Sequence, residues 1–122
     1  MLRRALLAGL TLWLMGTVVL RFGGNATIPP PTAARTIPVY LVSFLLAGLA
    51  ARLGFRGMRI PREAWPAAVT LFILPTLVLD AFVTAFFPAV YPNLSPAAAP
   101  TFGGLMLISA AGAVVSAWVF RL

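Results

Sequence analysis

Two carboxylic acids, Glu63 and Asp80, and nine arginines are all that the sequence offers to acid–base or electrostatic chemistry. It contains no cysteine, histidine or lysine, which removes thiolate and imidazole metal sites, Cys or His nucleophile–base couples and Schiff-base chemistry together. A lone carboxyl has no partner with which to divide the roles of acid and base, and Glu63 lies too far along the chain to serve as one for Asp80. We therefore expect no enzymatic activity, no cofactor and no metal. Asp80 still demands an explanation, because the residues around it are almost entirely apolar.

Those surroundings point to the elements that carry it. Of 122 residues, 61% are hydrophobic and 9% charged, with a mean hydropathy of +1.02. An ordinary soluble domain is roughly 45–50% apolar. A membrane span takes about 20 residues, so four spans consume most of the chain and leave only short loops. The expectation is an all-α, polytopic membrane protein whose residues 1–122 form a single domain, an antiparallel bundle of four transmembrane helices over about 4–22, 38–55, 64–87 and 101–120.

Each span has its own signals. The first is the uncharged run between Arg4 and Arg21, which rises about 24 Å, short of a hydrocarbon core of about 30 Å, so that Arg21 must snorkel outward or find a partner. Arg3 and Arg4 before an apolar run also resemble the start of a signal peptide, but the run is long for one and no small-x-small site follows it. Two glycines and the Pro29-Pro30-Pro31 run then end the helix. Pro38 suits the first turn of the second span. Gly54, Gly57 and Pro61 mark the next turn, and Pro61 with Glu63 looks like the opening of the third helix, where a carboxylate meets the positive end of the dipole. From Ala81 to Phe120 no charge occurs; as one helix this stretch would reach about 60 Å, so it must turn, and the proline-rich segment Pro88–Pro100 supplies the turn.

The arginines orient the bundle. With both termini in the cytoplasm, positions 3, 4, 52, 56, 59, 62 and 121 lie inside and only 21 and 35 outside, seven against two, as the positive-inside rule demands. Trp65 and Trp118 are then expected at the inner interface, and Tyr40 and Tyr91 at the outer one. The lipid bilayer is the expected partner, with anionic lipids at Arg52, Arg56, Arg59 and Arg62, although these arginines serve equally as topology signals. No nucleic acid is expected. Asn25-Ala26-Thr27 matches a glycosylation acceptor, a pattern too short to carry weight.

Because lipid provides no hydrophobic push between helices, association must come from small residues and polar side chains. Gly9, Gly16 and Gly23 recur along the first helix, Ser43, Ala47 and Ala51 along the second, and Ser109, Gly112 and Ser116 share a face of the fourth. Such stripes serve interior packing, or contact with a second copy or another membrane protein. Asp80 lies about 22 Å beyond Trp65 along the third helix, where an ionised carboxylate costs several kcal/mol unless paired. Thr76 and Thr84, four residues to either side, place it on a polar stripe. Trp13, Thr17 and Arg21 form a stripe of the same spacing on the first helix, which brings Arg21 to a similar depth. Asp80 is accordingly expected to pair with Arg21, or failing that with Arg35. A fixed pair would lock the first helix to the third; an unpaired carboxylate could instead bind a proton, ion or substrate. Pro75, one turn before Asp80, suits a kink beside a polar cavity, or one that simply fits a long span into the bilayer.

At Leu74-Pro75-Thr76-Leu77-Val78-Leu79-Asp80-Ala81-Phe82, at Phe86-Phe87-Pro88 and at Tyr91-Pro92-Asn93-Leu94, the chain resembles a family of small bacterial four-helix integral membrane proteins built on a domain of unknown function. Trp13, Gly16, Thr17, Arg21, Phe22 and Gly23 add to the resemblance. It implies a multi-pass protein of the bacterial inner membrane and no particular activity. The chain is also similar in size to small multidrug-resistance transporters, but those use a glutamate in the first helix, where this sequence has no acid, and the departure argues against that assignment. The sequence therefore leads to a non-enzymatic accessory or interaction bundle stabilised by the Asp80–Arg21 pair, with a small proton- or cation-coupled transporter or channel using Asp80 as the alternative.

Overall fold

The computed structural model describes residues 2–23 and 32–121. Four long helices dominate it: α1 (Leu2–Gly23), α2 (Ala33–Gly57), α3 (Trp65–Ala85) and, after the single turn α4 (Phe87–Val90), α5 (Ala99–Arg121). Short 3-10 turns at Arg62–Ala64 and Pro96–Ala98 lead into α3 and α5. Four segments, Leu2–Gly23, Ala34–Gly57, Arg62–Ala85 and Pro96–Phe120, are long and apolar enough to cross a membrane. Asn25-Ala26-Thr27 and the three consecutive prolines lie outside the described residues.

Two boundaries differ from those read in the sequence. The second helix starts before Arg35, because Thr32 adopts an extended conformation and its carbonyl accepts the amides of Arg35 (3.1 Å) and Thr36 (2.8 Å). Pro38 thus falls inside α2 rather than in its first turn. The third helix ends at Ala85, since Phe86 leaves helical geometry (φ −112, ψ 34) and α4 restarts immediately with Pro88 in its opening turn.

Successive spans reverse direction, yet the closest partners are not sequence neighbours. α1 packs on α3, α3 on α5 and α5 on α2, while α1 and α2 make no extensive contact. Close backbone approach explains the two parallel pairs, α1 with α3 and α2 with α5. A Cβ added at Gly9 would run into the Phe72 carbonyl, and one at Gly112 into the Phe44 carbonyl. The Ser116 hydroxyl donates to the Gly48 carbonyl at 2.7 Å, tying α5 to α2. The glycine stripe of α1 is used only at Gly9; Cβ atoms at Gly16 and Gly23 would meet nothing within 4 Å.

Aromatic rings fill both ends of the bundle. At the arginine-rich end, Phe55 and Trp65 (ring centroids 6.0 Å) pack with Ala51, Ile60, Val69 and Ala117. At the far end, Phe87, Tyr91 and Phe102 stack mutually at 5.4–5.6 Å, with Val83 and Leu94 around them. Trp65 and Tyr91 are therefore buried core residues, each 1% exposed, and not the interfacial aromatics expected from the sequence. The connections fold back over the bundle and their rings plug it, with the polar tip satisfied: the Trp65 indole donates to the Ile60 carbonyl at 2.9 Å. Trp118 does remain exposed.

The α2–α3 turn is a Schellman motif, with the Ile60 amide bonded to the Phe55 carbonyl and the Arg59 amide to the Arg56 carbonyl, both at 3.0 Å. Phe55 and Ile60 are buried together, the hydrophobic contact that accompanies this motif. Arg59 occupies the left-handed position (φ 55) that glycine normally fills.

Candidate functional site

Asp80 is buried, 6% exposed, on the face of α3 turned to α1. Its Oδ1 accepts a 2.8 Å hydrogen bond from the Trp13 indole N–H. Its Oδ2 has no hydrogen-bond partner among the described residues. One neutral donor orients a carboxylate and leaves its charge unbalanced.

The expected Asp80–Arg21 pair is not formed. Arg21 is exposed and its guanidinium reaches the Asn93 side-chain oxygen at 3.5 Å, beside the Phe22 ring. Asn93 in turn donates to the Leu20 carbonyl at 3.0 Å, capping the end of α1. Starting from Gly9 against Phe72, equal rise along two parallel helices brings position 17 level with Asp80, with Trp13 one turn, about 6 Å, before it and Arg21 one turn beyond. Of these two, the Trp13 indole meets the carboxylate, while the exposed Arg21 turns to Asn93. Arg35, the alternative partner, sits exposed in the first turn of α2.

Thr17, level with Asp80, donates to the Trp13 carbonyl at 2.8 Å and also meets the Tyr91 hydroxyl. Burial pushes the Tyr91 phenol above its ordinary range; the hydrogen bond with Thr17 opposes that shift, and the nearby Asp80 charge adds to it. Thr76 joins the same wall. Thr84 does not: it is exposed, and its side chain lies against Gly103 of α5. The polar stripe of α3 thus splits where the face turns from α1 toward α5.

Between the two aromatic plugs lies a cavity of about 380 Å³ to which α1, α2, α3 and α5 all contribute, with Asp80 and Trp13 in its wall. Ser43, Thr76 and Ser109 add hydroxyls, and the rest of the lining is mainly apolar, including Leu12, Leu46, Phe72 and Met106. Its volume falls within the roughly 300–1,000 Å³ of small-molecule sites. It persists because α1 and α2 do not close on each other.

A family model described as a family of unknown function (DUF5367) matches residues 33–121. The chain belongs to the DUF5367 family. No curated protein and no solved structure matches the chain. The family match takes in α2, α3 and α5 and therefore Asp80, Tyr91 and Asn93; α1, which supplies Trp13, Thr17 and Arg21, precedes it.

The remaining arginines of this DUF5367 member gather at the other end. Arg52 lies over the Phe120 ring at 4.2 Å, while Arg56, Arg59 and Arg62 are exposed. Sequence reasoning missed three participants in the site. Trp13 was visible as a member of the right stripe, and the need of a buried indole N–H for an acceptor was the signal that could have matched it to Asp80. Tyr91 and Asn93 carried only the signature of a turn; nothing local in the sequence tells that the turn folds over the end of α1.

Proposed function

We propose that the protein is a non-enzymatic membrane bundle that binds and passes a proton or cation at Asp80, that is, a small proton- or cation-coupled transporter. The observation that carries this reading is the buried Asp80 carboxylate, held by the neutral Trp13 indole in the wall of an interhelical cavity. A purely structural role would call for a cationic partner, and Arg21 is engaged elsewhere. An intramembrane carboxylate that can accept either a proton or a cation is the minimal chemistry for coupling one flux to another. By the positive-inside rule we assign the arginine-rich turn and both termini to the cytoplasmic side of a bacterial inner membrane. Asp80 then lies nearer the outer face, and the exposed turn arginines face anionic headgroups.

Proteoliposomes containing a pH-sensitive dye test the proposal. The wild-type protein should dissipate an imposed proton gradient in the presence of its driving cation, and Asp80→Asn, which keeps an acceptor for Trp13, should abolish the flux while folding normally. Flux equal to wild type in Asp80→Asn would refute a coupling role and return the protein to the class of accessory bundles.

A further inference from the structure

The ends and the side of the cavity differ. Toward the arginine-rich end it is stopped by the Phe55–Trp65 cluster, and toward the far end by Phe87, Tyr91 and Phe102. On the α1–α2 side, by contrast, residues that line the cavity are also exposed: Leu12 by 49% and Leu46 by 59%. Gly16 and Ala50 of the same lining are exposed as well, and a Cβ at Gly16 would enter open space. Leu12 and Leu46 lie at the middle of their helices, so the opening faces the acyl chains at mid-bilayer and not either aqueous phase.

A guest entering there must already be dissolved in the membrane. An inorganic ion is excluded by this route, since it cannot leave water without about six oxygen ligands to replace its hydration shell. The wall it would meet is apolar and aromatic, with hydroxyls and one unbalanced carboxylate. We infer that the guest is a hydrophobic organic monocation that enters sideways from the bilayer between α1 and α2 and rests against Asp80. One carboxylate selects a single positive charge, the apolar wall selects bulk that shields it, and about 380 Å³ admits a molecule of several rings. The inference rests on the proposed role of Asp80 as a cation- or proton-binding group and specifies what that group meets.

Binding of radiolabelled tetraphenylphosphonium to the purified protein in lipid nanodiscs tests it, with uncharged tetraphenylmethane as competitor. Saturable binding is expected that the neutral compound does not displace. It should weaken about tenfold or more in Asp80→Asn, as the loss of the opposite charge in an apolar wall predicts. Gly16→Leu, whose Cβ enters open space and whose side chain fills the opening, should weaken it similarly. Gly54→Leu, also in open space but away from the cavity, should leave it unchanged. Equal displacement by tetraphenylmethane would overturn the inference, because the cavity would then be an apolar crevice filled by acyl chains. Undiminished binding in Gly16→Leu would overturn the lateral route. An Asp80-dependent proton flux without any binding of the lipophilic cation would overturn the inference while leaving the proposed function standing.

Discussion

Replacing Trp13 by phenylalanine removes the N–H donor that holds Asp80 together with part of the ring system, and a cycle with Asp80 separates the two effects. The bond is 2.8 Å long and ends on a carboxylate that is 6% exposed. Hydrogen bonds to charged groups contribute about 1.5–3 kcal/mol, whereas polar contacts between membrane helices average about 0.6 and reach about 1.7 kcal/mol. Burial of Asp80 favours the upper part of the membrane range, and we expect Trp13→Phe to destabilise the fold by about 1.5 kcal/mol. Arg21→Gln should change stability by less than about 0.5 kcal/mol, since Arg21 is exposed and its 3.5 Å contact is at the limit of a hydrogen bond. Both can be read from reversible unfolding in mixed micelles titrated with sodium dodecyl sulfate and followed by circular dichroism. Adding Asp80→Leu completes a double-mutant cycle. The loss caused by Trp13→Phe should largely vanish in the Asp80→Leu background, giving a coupling of about 1 kcal/mol or more. If Arg21→Gln cost more than Trp13→Phe, and its effect rather than that of Trp13 disappeared with Asp80, the assignment of Asp80 to Trp13 would be wrong.

The register of α1 on α3 has its own test: Gly9→Leu should destabilise by about 1–3 kcal/mol or more through overpacking against the Phe72 backbone, whereas Gly16→Leu should be near neutral in the same unfolding assay. Arg59→Gly relieves a left-handed residue and should stabilise by about 0.5–1 kcal/mol, the αL penalty less the added freedom of glycine in the unfolded chain. Arg59→Ala, which keeps the penalty, should bring no such gain. Finally, replacing the exposed Arg56, Arg59 and Arg62 by glutamine should weaken retention of anionic lipid, measured by native mass spectrometry, by about 1 kcal/mol per charge. Unchanged retention would reduce these arginines to topology signals.

The number of spans was legible because the cost of exposing polar backbone and charge to hydrocarbon is read residue by residue. The runs around Leu10, Leu45, Leu77 and Ile108 could be nothing else, and the prolines between Pro88 and Pro100 had to break a stretch too long for one crossing. Helix ends were less legible. Pro38 falls inside α2 because the helix starts earlier, with Thr32 as the acceptor for its first amides, and Phe86 already departs from helical geometry. Asp80 could be singled out as the residue needing an explanation, and Thr17 and Thr76 as its polar neighbours. Its partner could not, since depth alone does not distinguish Trp13 from Arg21. Burial of Tyr91 and Trp65 was likewise hidden: an aromatic near a span's end can face the headgroups or cap the bundle, and only the path of the adjoining turn decides between them.

From its sequence alone, then, the chain was bound to be helical, to cross a membrane and to bury one acid, because hydrophobic length and intramembrane charge are properties of single segments. Which helices touch, where the carboxylate points and whether a cavity survives beside it were decided only on packing. Gly9, Gly48 and Gly112 show the reason: each lets one backbone approach another at a fixed height, and those contacts, made between distant segments, set how α1 meets α3 and how α2 meets α5.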